Sequence, residues 1–169
     1  MEFESKILSK GMLELLYNSD KTIGTAESCT GGRIAEAIIS TPGASNYFKG
    51  GIVSYTNEVK ENILGVSHQV LEEQTAVCEE VAKEMVLGAI KALNVDYAVS
   101  ATGVAGPTGG TAEIPVGTIW IGYGSKDDVR TVKLTEDYGR DINLAIATNT
   151  ALKSMVAFLK EHEADLKKD

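Results

Sequence analysis

Histidine is almost missing from the chain: His68, in a polar turn, and His162, in a charged C-terminal stretch, are its only two. A triad built on imidazole is therefore disfavoured, and the proton acceptor for any nucleophile must be a lysine, a tyrosine or a carboxylate. Both histidines are expected to be solvated. Cysteine is equally scarce. Cys29 and Cys78 form no C-x-x-C pair and no Cys/His cluster, which argues against a disulfide framework and against a zinc site. No apolar run approaches the ~20 residues of a membrane span, and the opening Met1-Glu2-Phe3-Glu4-Ser5 lacks the pattern of a signal peptide. The expectation is a cytoplasmic protein with no membrane contact.

Basic charge is also in deficit. Sixteen Lys and Arg stand against 24 Asp and Glu, for a net charge of −8 and a pI near 4.8. Binding along a nucleic acid needs clustered cations, so no nucleic-acid partner is expected, whereas a small anion held by backbone N–H groups is compatible with this balance. Aromatic residues make up only 6%, while glycine reaches 17 residues. That combination suits an α/β domain with tight turns around a site lined by backbone. At 169 residues the chain can bury a core without disulfides or metal, and it reads as one domain over 1–169 with 160–169 as a charged, fraying tail.

What the chain does have is a regular alternation of extended and helical patterns. Ile7, Leu8, Met12, Leu15 and Leu16 are spaced as one helix face over residues 3–17, and an extended run over 21–27 leads into a helical pattern over 33–39. A strand over 50–55 follows, then a short helix over 58–64 with Thr56-Asn57 as its cap and Gly65 as its stop. Residues 66–75 are polar, irregular or a short helix. Val81, Met85, Ala89 and Ala92 mark a helix over 78–93, and a short strand over 96–101 runs into a glycine-rich loop. The strongest strand covers 116–123, with 129–134 as its hairpin partner across 124–128. A last helix over 140–159 is expected to bury Ile142, Ala145, Ile146, Leu152, Val156 and Leu159. The order predicts a three-layer α/β/α fold with a mixed sheet.

Ser28, in Thr25-Ala26-Glu27-Ser28-Cys29-Thr30-Gly31-Gly32, sits at a strand-to-helix turn. The first N–H groups of a helix have no partner inside it, so a hydroxyl beside them resembles a nucleophile beside an oxyanion hole. An ordinary N-cap in a glycine turn is the plainer reading. Tyr55 and Lys60 flank the next strand-to-helix turn, which lies on the same sheet edge if the two strands are parallel. Lys60, in the first helical turn, meets an unfavourable dipole, and partial burial would lower its pKa toward that of a base; Tyr55 could relay a proton. Taken singly, a solvated lysine and a half-buried strand tyrosine explain the two equally well. Cys29 is a rival nucleophile that reads first as a small packed residue. The loop Thr102-Gly103-Val104-Ala105-Gly106-Pro107-Thr108-Gly109-Gly110 can fold around an anion, though it is neither a Walker A loop nor a dinucleotide fingerprint. Arg140 could grip a phosphate through its planar fork.

Taken together, Ala26-Glu27-Ser28-Cys29-Thr30-Gly31-Gly32, Gly50-Gly51-Ile52-Val53-Ser54-Tyr55 with Asn57 and Lys60, the glycine loop, and Pro115-Val116-Gly117-Thr118 resemble the carboxy-terminal domain of the competence/damage-inducible protein CinA. Stand-alone members of that family are nicotinamide-nucleotide amidohydrolases. The resemblance implies hydrolysis of nicotinamide mononucleotide to nicotinate mononucleotide and ammonia, with no cofactor and no metal. It carries the catalytic roles onto Ser28, Tyr55 and Lys60. The backbone at Thr30, Gly31 and Gly32 would then hold the oxyanion, while Thr102, Gly103, Ala105, Gly106 and Arg140 would bind the nucleotide. The expected partners are that small-molecule substrate and a second copy of the chain, a homodimer being favoured. Thr75-Ala76-Val77-Cys78 stands where Gly-Ala-Val-Ser is usual, Ile114 where a lysine is common, and Asn143 where a second arginine often follows. A catalytically silent nucleotide-binding or regulatory module and a serine amidase of other amides are the alternatives.

Overall fold

The computed structural model describes residues 2–167. In chain order the elements are α1 (Glu2–Leu16), β1 (Ile23–Glu27), α2 (Arg33–Ile39), β2 (Phe48–Val53), α3 (Asn57–Leu64), α4 (His68–Gln74), α5 (Glu79–Leu93), β3 (Tyr97–Gly103), β4 (Ile119–Ser125), β5 (Asp128–Leu134), α6 (Arg140–Glu161) and α7 (Glu163–Leu166). The strands form one mixed sheet in the order β2-β1-β3-β4-β5. The first three pair in parallel, and β4 and β5 are antiparallel additions.

Alternation along β3 divides the interior. Tyr97, Val99 and Ala101 face a core shared with α1, α2 and α6, and Ala98 faces a second core shared with α3, α4 and α5, as the two-residue period of a strand requires. The first core holds Met12, Leu16, Ile34, Ile38, Leu144, Leu152 and Phe158. The second holds Leu64, Leu71, Val81, Met85 and Val86. The predicted α/β/α layering with a mixed sheet is therefore present. The second layer lies very close to the strands: Ser100 donates its hydroxyl to the Ala82 carbonyl at 2.7 Å, and a Cβ on Gly122 would lie 2.6 Å from that same oxygen. Only glycine fits there.

Several boundaries move. β4 starts at Ile119, not at residue 116, because Gly117 has φ +94° and Thr118 donates its N–H back to Pro115, so the chain turns there. The hairpin needs only Lys126 and Asp127 as its turn, since Ser125 already pairs with Asp128. Ile142 is 43% exposed, contrary to expectation; the buried stripe of α6 begins at Asn143 and Leu144 and runs through Ala147, Ala151, Met155 and Phe158. By length and apolarity α6 could cross a membrane, but this stripe makes it a core helix. The charged C-terminal stretch does not fray as a whole. α6 continues to Glu161, α7 follows, and Leu166 is buried in the first core; residues 168–169 lie outside the described residues. His162 is correspondingly half-buried and stacks on Phe158, with ring centroids 4.2 Å apart.

This topology fixes where a site can form. From β1 the chain passes first to β2 on one side and then returns to β3 on the other, so the carboxyl end of β1 lies at a reversal of strand order. In open α/β sheets such a point is a crevice, because the connections on its two sides diverge.

Candidate functional site

The carboxyl ends of the three parallel strands are tied together one residue beyond the sheet. Ser28 donates its N–H to the Ala101 carbonyl at 2.9 Å, and Ser54 donates its N–H to the Glu27 carbonyl at 2.7 Å. Ser28 and Ser54 are thereby pinned side by side, both buried. The next helix then delivers the lysine. Thr56 caps α3 by accepting from Val59 N–H, and one turn later Lys60 points back into the crevice, only 1% exposed. Its Nζ donates to Ser28 Oγ at 2.8 Å and to the Ser54 carbonyl at 2.7 Å.

An ammonium buried against two neutral acceptors has lost its hydration without gaining a carboxylate. Burial accordingly pushes Lys60 from 10.5 down to about 8, with the Cys29 thiol opposing the shift weakly. A useful fraction is therefore neutral amine near pH 8. Cys29 lines the same cleft yet is packed in the core, and burial pushes its thiol up to about 11, so it stays protonated at neutral pH. Ser28 is the hydroxyl within reach of the base.

The N-terminus of α2 is arranged otherwise than the sequence suggested. Glu27, 1% exposed, accepts from Ile34 N–H at 2.9 Å and from Ala35 N–H at 3.0 Å, so a carboxylate of the chain itself occupies the first helical turn. Gly31 N–H is spent on the Ser28 carbonyl. Thr30, Gly31 and Gly32 are not among the residues lining the cleft, and behind them Glu27 takes the Ile34 and Ala35 N–H groups of the first helical turn. Glu27 was not singled out from sequence. Its signal was positional, an acidic residue placed just before a helix whose first N–H groups need acceptors.

The cleft itself, about 340 Å³, is lined by Ser28, Cys29, Tyr55, Asn57 and Lys60 from the β1 and β2 ends and by Thr102, Gly103, Ala105, Gly106 and Arg140 from the glycine loop and the start of α6. Tyr55 stands at the rim, 63% exposed, and its hydroxyl has no hydrogen-bond partner among the described residues. Thr102 donates its hydroxyl to the Ala76 carbonyl at 2.8 Å, which brings Ala76 and Val77 to the cleft wall. Ala76, Val77 and Asn57 were not anticipated as lining residues. The glycine loop is braced from behind: Val104 accepts from Gly117 N–H, Ala105 from the Asn143 amide at 3.1 Å, and Gly106 from the Arg140 guanidinium at 2.8 Å.

This site can be set beside known proteins. The model of the CinA C-terminal domain matches residues 5–159. The chain belongs to that family. Among relatives, a CinA-like protein of Cytophaga hutchinsonii is 42% identical over 159 residues, which cover 94% of this chain and 38% of the relative. A CinA-like protein of Leptospira borgpetersenii is 54% identical over 114 residues, covering 68% of this chain and 27% of the relative. The chain thus spans well under half the length of these CinA relatives. Among solved structures, the competence/damage inducible protein CihA of Agrobacterium tumefaciens superposes with a TM-score of 0.89 at 33% identity, covering 92% of this chain and 95% of that one. A CinA superfamily protein of Escherichia coli gives 0.84 at 34% identity, with 88% and 87% covered. The resemblance drawn from the sequence is therefore a family relationship.

Proposed function

We propose that this CinA-family domain is an amidohydrolase that converts nicotinamide mononucleotide to nicotinate mononucleotide and ammonia. The observation that carries the reading is the buried contact between Lys60 Nζ and Ser28 Oγ at 2.8 Å, with no histidine at the cleft. As a neutral amine, Lys60 keeps its hydrogen bond to the Ser54 carbonyl, which aims the nitrogen, and takes the Ser28 hydroxyl proton as Oγ attacks the carboxamide carbon. The resulting ammonium then returns a proton to the departing nitrogen, which leaves as ammonia. Water, deprotonated by the same amine, cleaves the acyl-enzyme and frees Ser28. Tyr55, at the rim, would close over the pyridine ring and guide a proton. Arg140 and the N–H groups of the glycine loop would hold the phosphate.

The test is ammonia release by the purified protein from nicotinamide mononucleotide, from its phosphate-free riboside and from short peptide amides. The reading expects turnover of the nucleotide and a tenfold or greater loss in kcat/KM for the riboside, from the loss of charge-assisted hydrogen bonds worth roughly 1.5–3 kcal/mol each. Tight nucleotide binding without ammonia would replace the enzyme with a silent binding module. Equal turnover of riboside and nucleotide would move the reading to a broader amidase.

A further inference from the structure

Asn143 lies at the start of α6, 3% exposed, and uses its side chain three times. Its Nδ2 donates to the Ala105 carbonyl at 3.1 Å and to Asp137 Oδ1 at 2.9 Å, and its Oδ1 accepts from Tyr138 N–H at 2.8 Å. The orientation of the amide is unambiguous, because a carbonyl and a carboxylate only accept and a backbone N–H only donates. Asp137 Oδ1 is itself fixed by Gly139 N–H at 2.9 Å. The buried amide is thus a bracket between the loop and the turn that opens α6.

The consequence falls on the peptide between Ala105 and Gly106. In a trans peptide the N–H points away from the C=O, so binding the Ala105 carbonyl to Asn143 turns the Gly106 N–H to the opposite side. The same holds one residue earlier, where Gly117 N–H takes the Val104 carbonyl and leaves Ala105 N–H facing away. Ala105 and Gly106 are buried, both line the cleft, and neither N–H has a partner among the described residues. Backbone N–H groups of a folded chain seldom go without an acceptor, and two adjacent ones left free at a cleft wall can take a ligand oxygen.

We propose that Asn143 is a positioning residue for the anionic end of the cleft: by holding the Ala105 carbonyl it presents the Ala105 and Gly106 N–H groups to the phosphate of a mononucleotide. This rests on the nucleotide reading given above. The side chain never touches the substrate and acts only through the loop, with Asp137 holding the amide at its other end.

The experiment compares the wild type with Asn143→Ala, Asn143→Asp and the double variant Asp137→Asn/Asn143→Asp. In the double variant donor and acceptor exchange places, which restores the link between positions 137 and 143 and keeps an acceptor for Tyr138 N–H, but the Ala105 carbonyl stays without a donor and Gly139 N–H loses the oxygen at position 137. Dissociation constants for nicotinate mononucleotide and its riboside come from calorimetry, and KM and kcat for nicotinamide mononucleotide from ammonia release. The single variants are expected to lower Tm and to raise Kd and KM for the nucleotide by roughly tenfold, as expected for the loss of one oriented donor pair. The riboside is expected to change little, and kcat to fall far less than KM rises. The double variant recovers part of the Tm lost by Asn143→Asp but not nucleotide affinity. If nucleotide affinity returns along with Tm, Asn143 is merely structural and the inference is overturned. Single variants that bind the nucleotide normally, or a wild type that binds riboside and nucleotide equally, also overturn it. A wild type that binds the nucleotide with this dependence on Asn143 yet releases no ammonia removes the amidase reading and leaves the positioning role standing.

Discussion

Lys60 Nζ is held 2.7 Å from the carbonyl oxygen of Ser54, a residue six positions earlier that is itself pinned to Glu27 at the end of the neighbouring strand. That bond fixes the amine whether or not it is charged, since either form can donate one hydrogen to it. Rate and stability can therefore depend on the charge of Lys60 with little change in its position.

Activity is the first quantity to follow it. The base is the neutral form, so kcat/KM for nicotinamide mononucleotide is expected to rise tenfold per pH unit below about 8 and level off above it. Lys60→Arg should fold and be almost inactive, because a guanidinium does not deprotonate in this range. A pH-rate profile of both proteins checks this. A flat profile from pH 6 to 9, or substantial turnover by the arginine variant, is incompatible with a base at Lys60.

Stability responds to the same titration. Between about 8 and 10.5 the unfolded chain carries the Lys60 proton and the folded chain does not, so folding releases a proton and stability rises with pH across that window. Below 8 the folded state bears the full cost of a buried ammonium. The difference in unfolding free energy between wild type and Lys60→Met is expected to shift by roughly 3 kcal/mol in favour of the wild type from pH 8 to pH 10.5. Urea denaturation of the pair at several pH values measures it, and a difference that does not vary with pH rejects the assignment.

The two adjacent candidate nucleophiles separate cleanly. Ser28→Ala is expected to lose about a thousandfold or more in kcat, while Cys29→Ala keeps most turnover and loses about 1 kcal/mol of packing. Single-turnover kinetics and melting curves on the two variants decide the matter, and comparable losses in kcat would transfer the role to Cys29.

Glu27→Gln tests the closed end of α2. The replacement turns one acceptor into a donor that faces Ile34 or Ala35 N–H, leaving that buried donor unsatisfied. A cost of about 2–3 kcal/mol is expected, together with reduced kcat, because the turn that carries Ser28 loses its anchor. A variant as stable as the wild type would mean that the carboxylate contributes nothing there.

Thr75 adopts φ +67°, ψ 176° at the end of α4, a conformation that belongs almost entirely to glycine. Thr75→Gly relieves a Cβ clash, at the expense of some unfolded-state entropy and of the hydroxyl that accepts from Val77 N–H at 3.2 Å. A net gain of about 1 kcal/mol is expected, raising Tm by about 2–4 °C. A lower Tm would show that the hydroxyl contact outweighs the backbone conformation.

How far the amino-acid order alone leads can be judged residue by residue. The helix over 57–64 was readable because Thr56 and Gly65 are local signals, and the meeting of Ser28 with Lys60 followed once β1 and β2 were taken as parallel. Glu27 and Asn143 were not readable in the same way. Their partners lie 7 and 38 residues away, and what distinguishes them is being buried with every polar atom matched, a property of the assembled layers. Thr75 was noticed as a departure from glycine, but its positive φ is visible only in the folded backbone. The start of β4 was misplaced because Val116 and Thr118 carry strand propensity that tertiary contacts with Val104 override.

The antiparallel arm of the sheet has a practical consequence. Gly103, beside the cleft, pairs with Ile119, whereas the Lys126-Asp127 turn follows the far end of β4, where Ser125 pairs with Tyr97. A seven-residue strand at about 3.3 Å per residue places that turn some 20 Å from the reacting groups. Both turn residues are exposed. A fluorophore, an affinity tag or a whole inserted domain can therefore be carried at 126–127 as a reporter while Ser28, Lys60 and the loop stay as they are.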